Sequence, residues 1–86
     1  MMYYVYVLKS EIDDNFYTGF TSDLKSRIKK HNHGYVRSTK YRRPLKLIYY
    51  EACLNEADAL AREKYLKSGM GKRYLQNRLK NGMREL

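Results

Sequence analysis

The sequence predicts an α+β fold: a small three-stranded antiparallel sheet flanked by helices, in the order β-β-α-β-α-α. Three observations lead there. The chain opens on a β-branched and aromatic run, Tyr3 to Leu8, and returns to similar runs at "FYTGF" and "LKLIYYE". Polar turn residues, "SEIDDN", join the first two runs as a hairpin. Apolar residues at helical spacing begin only after the second and third runs.

Each element has a local cause. The first strand is apolar on both faces, as a strand inside a sheet requires. After the second, Ser22 or Thr21 can cap a helix that begins near Asp23, whose carboxylate suits a first helical turn. Leu24 and Ile28 form the inward stripe of this helix, and Gly34 marks its end. A basic loop, "YVRSTKYRRP", leads to the third strand. Asn55 caps a helix from Glu56 to about Lys67, with Ala57, Leu60, Ala61 and Tyr65 spaced to face the sheet. "SGMG" breaks it, and a last helix runs from about Lys72 to Lys80. No internal repeat or linker interrupts the 86 residues, so one domain over residues 1–86 is expected.

A chain this short can bury one modest core but no deep enclosed pocket, so an active site would be an open groove for a large substrate. With 43% hydrophobic and 31% charged residues, the composition is that of a folded domain rather than a disordered chain. The net charge is +9, and between Leu24 and Tyr50 there are nine Lys or Arg and no Asp or Glu. Such a block repels itself unless a polyanion neutralises it, which points to nucleic acid before an anionic membrane. Ten tyrosines among the cations suit nucleic-acid contact, although most are expected in the core. Cys53 is the only cysteine, which excludes an internal disulfide and a CxxC metal knuckle. "YYVYVL" is too short to cross a bilayer, and the opening residues lack the features of a secretion signal. A reducing cytoplasm is the expected location.

Arg27 and His31 lie four residues apart in the first helix and so share a face. Lys25, Lys29 and Lys30 surround them. Arginine can clamp phosphate oxygens with paired hydrogen bonds, and histidine can move a proton near neutral pH. On helix spacing alone, a solvated basic face explains the pair as well. The hairpin can bring Tyr6 and Tyr17 side by side, with Gly19 leaving room for a backbone or ligand. A phenol is a poor base at pH 7, but cations such as Arg27 and Lys9 would favour its anion. Taken by themselves, two strand tyrosines read as core residues.

The series Tyr4-Val5-Tyr6, then Tyr17-Thr18-Gly19, then Arg27 and His31, then Glu63 in "ADALAREKYLK", resembles the GIY-YIG nuclease family. The resemblance spans nearly the whole chain, and "HNHGYVRSTKYRRPLKLIYYE" and "REKYLKSGMGKRYL" look like its small single-domain members. It implies a three-stranded antiparallel sheet with flanking helices and cleavage of phosphodiesters with one divalent metal, Mg²⁺ or Mn²⁺. Relatives include homing endonucleases and the nuclease domain of a bacterial excision-repair subunit, which brings DNA repair into view. By position, Tyr6 and Tyr17 would be the paired motif tyrosines, one of them the general base. Arg27 would hold the scissile phosphate, His31 would assist the proton transfer, and Glu63 would bind the metal. A solitary carboxylate is adequate for Mg²⁺, which fills its remaining positions with water and phosphate. Glu63 and Lys67 would also make a favourable i,i+4 ion pair.

Three departures from the family pattern stand out. Tyr4 occupies a position that is often glycine; Phe20 follows Gly19 where several cleaving members carry lysine; and Asn77 only loosely matches a later asparagine. "SGMGK" can present backbone N–H groups and Lys72 to a phosphate, or simply end one helix and start another. Thr39, Lys40, Arg42 and Arg43 form a further patch for the sugar-phosphate backbone, with Lys9 and Lys30 nearby. The resulting expectation is a metal-dependent endonuclease of low sequence specificity acting on structured or nicked DNA. The alternatives are a non-cleaving nucleic-acid-binding module of the same fold, or a basic adaptor that docks on an acidic protein or ribosomal RNA.

Overall fold

In the computed structural model, which describes residues 1–85, β1 (Tyr3–Ser10) lies between two antiparallel partners. These are β2 (Phe16–Thr21) and β3 (Leu45–Cys53), giving the sheet order β2-β1-β3. Helices α1 (Leu24–Asn32), α2 (Glu56–Lys67) and α3 (Gly69–Met83) complete the predicted order. Among the described residues, no helix is long and apolar enough to cross a membrane.

Because successive side chains of a strand point to opposite faces, β1 feeds two cores. Val5 and Val7 pack with Ala59, Leu66 and Leu75 of α2 and α3. Tyr6 and Leu8 pack with Leu45, and with Leu24 and Ile28 of α1, as their spacing predicts. The β1–β3 register slips between Val7 and Leu8, where Val7 faces Tyr49 but Leu8 faces Leu47. This bulge lets consecutive residues Ile48 and Tyr49 both pack on the α2/α3 side.

Helix ends depart from expectation in instructive ways. Asp23 itself caps α1, accepting a hydrogen bond from the Ser26 N–H at 3.1 Å, while Thr21 bonds to the Asp23 backbone. Asn55 caps α2 as expected, accepting from the N–H groups of Ala57 and Asp58. The break before α3 is a single residue. Ser68 caps α3 by accepting from Gly71 N–H, so both glycines lie in the first turn. A Cβ at Gly71 would collide with the Tyr65 carbonyl and the Leu66 backbone. The glycine therefore lets α3 approach α2 closely; it does not open a phosphate loop.

The inward stripe of α2 is also different. Ala57, Leu60 and Ala61 are exposed, whereas Ala59 and Leu66 are buried and Arg62, Glu63 and Tyr65 are half-buried. Apolar residues surround this helix on several sides, so spacing alone misjudges its rotation by about two residues, close to half a turn. The rotation has a consequence for chemistry. Glu63 stands in the same i, i+4, i+7 row as Ala59 and Leu66, facing the body of the protein.

Candidate active site

Tyr6 is the centre of the site and is fully buried. Its partner across the hairpin is Gly19, and a Cβ there would run into the Tyr6 hydroxyl and ring. The space that the sequence suggested for a ligand is filled by the phenol itself. From α1, His31 Nε2 lies 2.7 Å from the Tyr6 hydroxyl, and Arg27 Nε donates to the same oxygen at 3.4 Å. The four-residue spacing of Arg27 and His31 thus aims both groups at one phenol.

Behind His31 stands Thr39, also fully buried, with its Oγ1 2.7 Å from His31 Nδ1. Thr39 Oγ1 donates to the Val36 carbonyl at 3.5 Å. A hydroxyl that donates there accepts from Nδ1–H, which leaves Nε2 to accept the Tyr6 proton. The chain therefore runs Tyr6 O–H to His31 Nε2, His31 Nδ1–H to Thr39, and Thr39 O–H to the backbone. Thr39 was expected to touch a nucleic-acid backbone. It cannot, because it has no exposed surface; its burial comes from the folding of the loop after α1.

Burial shapes the protonation of this chain. Desolvation, helped by the Arg27 charge, lowers the His31 pKa from 6.5 to about 4, so the imidazole is neutral at pH 7. Burial likewise raises the Tyr6 pKa, while the hydrogen bond from Arg27 opposes the rise. The expectation that cations would favour the Tyr6 anion is thus outweighed by desolvation. Lys9, one of the cations invoked, bonds instead to Asp14 at 2.7 Å. Arg27 is held firmly protonated, first by its bond to Tyr6.

Tyr17 is partly exposed, its ring 5.1 Å from that of His31 and 6.5 Å from that of Tyr6. Arg27 is partly exposed as well. Glu63 bonds to Lys67 at 3.2 Å with its side chain 20% exposed, and its charge contributes to raising the Tyr6 pKa. The site thus has two layers. Tyr6, His31 and Thr39 form a closed lower layer; Tyr17, Arg27 and Glu63 are partly exposed above it. Glu63 is the group able to hold a cation. No cluster of three or more His, Cys, Asp or Glu exists among the described residues.

Of the other expected contact residues, Arg42 and Lys72 line one groove and the rest lie apart from it. Lys30 and Lys40 are exposed, with Lys40 Nζ 5.4 Å from the Tyr41 ring. Arg42 is committed to Asp13, bonding at 2.9 Å, and Arg43 bonds to the Lys40 carbonyl at 2.7 Å. Lys72 is exposed in the first turns of α3, and Asn77 is exposed further along it. Phe20 stacks on Tyr3, with ring centres 6.1 Å apart. Not all tyrosines are core: Tyr35 and Tyr41 are 77% and 83% exposed in the basic loop.

Comparison with known proteins agrees with this fold. A family model described as "GIY-YIG catalytic domain" matches residues 2–81. A UPF0213 protein from Clostridium perfringens is 46% identical over 67 residues, 77% of this chain and 71% of that protein. One from Pediococcus acidilactici is 40% identical over 85 residues, covering 94% and 85% of the two chains. The solution NMR structure of a UPF0213 protein from Bacillus halodurans matches with a TM-score of 0.57. That match covers 90% of this chain and 84% of the other, at 35% identity.

Proposed function

The chain belongs to the GIY-YIG family, among its small UPF0213 members, and from that premise we propose that it is a metal-dependent endonuclease. Its reaction is hydrolysis of nucleic-acid phosphodiester bonds, with DNA as the favoured substrate. One observation carries the reading most: Arg27 and His31 converge on the Tyr6 hydroxyl beside a second, reachable phenol.

Arg27 does two things at once. Its Nε donates to Tyr6, which fixes the guanidinium plane, and its remaining N–H groups can face a phosphate oxygen. There it offsets the charge that develops at phosphorus. Tyr17 is the phenol placed to meet and orient the attacking water, since Tyr6 is closed off. Tyr6 and His31 pass a hydrogen bond inward to Thr39, so the lower layer holds Arg27 and Tyr17 in position. Glu63 suits a divalent ion such as Mg²⁺ or Mn²⁺, which commonly takes one or two protein carboxylates. When bound, the ion supplies Lewis-acid charge to the phosphate and its leaving oxygen.

Sequence specificity is low in this reading, because so small a domain offers little surface to read base edges. Shape and phosphate contacts, as in nicked or branched DNA, decide the substrate. A cytoplasmic role in DNA repair fits such a substrate. A second reading, a binding module that does not cleave, is favoured by Phe20. It packs on Tyr3 where several cleaving relatives have a lysine cation.

The test is incubation with supercoiled, branched and single-stranded DNA in Mg²⁺, Mn²⁺ or EDTA. Nicking that needs metal and disappears in Glu63→Ala, with binding retained, is the expected result. Binding without nicking on every substrate would select the second reading, and no binding at any salt would remove both.

A further inference from the structure

Two grooves meet at the start of α3. The smaller one is lined by Phe16, Tyr17 and Lys72, and so opens beside the reachable phenol. The larger shares Phe16 and Lys72 with it and continues past Gln76 and Lys80 to Met83. Its volume of about 840 Å³ is too large for a lone anion. Residues 72, 76 and 80 are four apart, so they line one face of α3. Between the first and last, the helix advances about 12 Å.

The cations on this face are unengaged. Among the described residues, neither Lys72 nor Lys80 takes part in an ion pair. The aspartates on the opposite wall are neutralised: Asp13 bonds to Arg42 at 2.9 Å and Asp14 to Lys9 at 2.7 Å. Between two quenched carboxylates and two free ammonium groups, the groove favours a polyanion.

We propose that this face of α3 is a strand track. The sugar-phosphate backbone on one side of the scissile bond leaves Tyr17 over Phe16 and runs along Lys72, Gln76 and Lys80. Two lysines about 12 Å apart along the helix can each meet a separate phosphate of one strand. Gln76, between them, donates to phosphate oxygens without adding charge. The track meets only the backbone, so it adds affinity and register but no sequence preference. It rests on the endonuclease reading and gives that reading a direction: substrate lies along α3, not across the outer face of α2.

The decisive measurement is binding of a labelled nicked DNA duplex in EDTA over a range of salt concentrations. Lys72→Gln combined with Lys80→Gln is expected to make the log–log salt dependence shallower by about 2, near 0.9 for each phosphate no longer neutralised. Lys64→Gln, on the exposed side of α2, is expected to leave the slope unchanged. A double variant with the wild-type slope, or a Lys64 variant whose slope falls as much, overturns the track while the nuclease reading stands. Wild-type protein that binds no DNA at all removes the functional reading, and the track with it.

Discussion

Two phenols on opposite faces of the sheet illustrate how partners decide what a tyrosine can do. Tyr6, on the α1 face, is fully buried, donates a hydrogen bond to a neutral imidazole and accepts one from Arg27. Tyr49, on the α2/α3 face, donates to Glu51 at 2.7 Å and lies 3.3 Å from the Tyr74 hydroxyl. Glu51 is in turn paired with Arg62 at 2.9 Å, and Arg62 lies over the rings of Tyr65 and Tyr74. Burial raises the pKa of both phenols. At Tyr6 a cation opposes the rise, whereas at Tyr49 the hydrogen bonds to Tyr74 and Glu51 add to it. Tyr49 is therefore locked as a donor in a cluster that ties β3 to α2 and α3. Tyr6 is held in balance between a proton acceptor and a positive charge. The first arrangement fastens a fold; the second can serve a reaction.

Substitutions can test that division, beginning with the largest effect. Arg27→Ala should lower the nicking rate by about 10²- to 10³-fold, as removal of one preorganised charge-stabilising donor does. Thermal stability should change little, and the pairing of rate assay and melting curve checks both halves.

Acid is next, and its sign follows from His31. The imidazole titrates at 6.5 when exposed and about 4 when folded, so the native state resists a proton that the unfolded chain accepts. Its contribution is fully present above pH 6.5 and is lost as pH falls towards 4, by up to about 3 kcal/mol. Denaturant midpoints measured from pH 7 to pH 4 should show the loss, and a His31→Phe variant should flatten it.

Thr39→Val should cost about 1–3 kcal/mol by leaving His31 Nδ1–H without its acceptor. It should also lower activity through misplacement of His31, whereas Thr39→Ser should restore both. Arg62→Ala should destabilise by about 1–2 kcal/mol, since Glu51 loses its partner in a half-exposed setting. Once folded, that variant should nick at the wild-type rate. A large rate loss there would erase the distinction between the two faces.

The sequence made the strand order and the Arg27–His31 pairing legible because both depend on short-range periodicity. Residues 27 and 31 must share a helix face, and the run around Tyr6 must lie inside a sheet. The partner of His31 was not legible. Thr39 sits in an irregular basic loop, and only the path of that loop brings it under α1. The rotation of α2 was hidden for a different reason. Ala57 and Ala61 lie on its outer side and Arg62 on its inner one, because Glu51 and two rings give the guanidinium a place to lie. Composition made Ala57, Leu60 and Ala61 look inward; tertiary pairing reversed that preference. The partly exposed position of Tyr17 beside the closed Tyr6 follows from its lying on an edge strand, which no count of residues reveals.

Because β1 is the middle strand and serves a different core with each alternate side chain, its chemistry depends on parity. Gaining or losing one residue between Tyr3 and Tyr6 would swap inner and outer sets at a stroke, sending the phenol towards Leu66 and a valine towards Arg27. Deep mutational scans of this segment should thus tolerate many exchanges of one apolar side chain for another, yet reject every single-codon insertion or deletion.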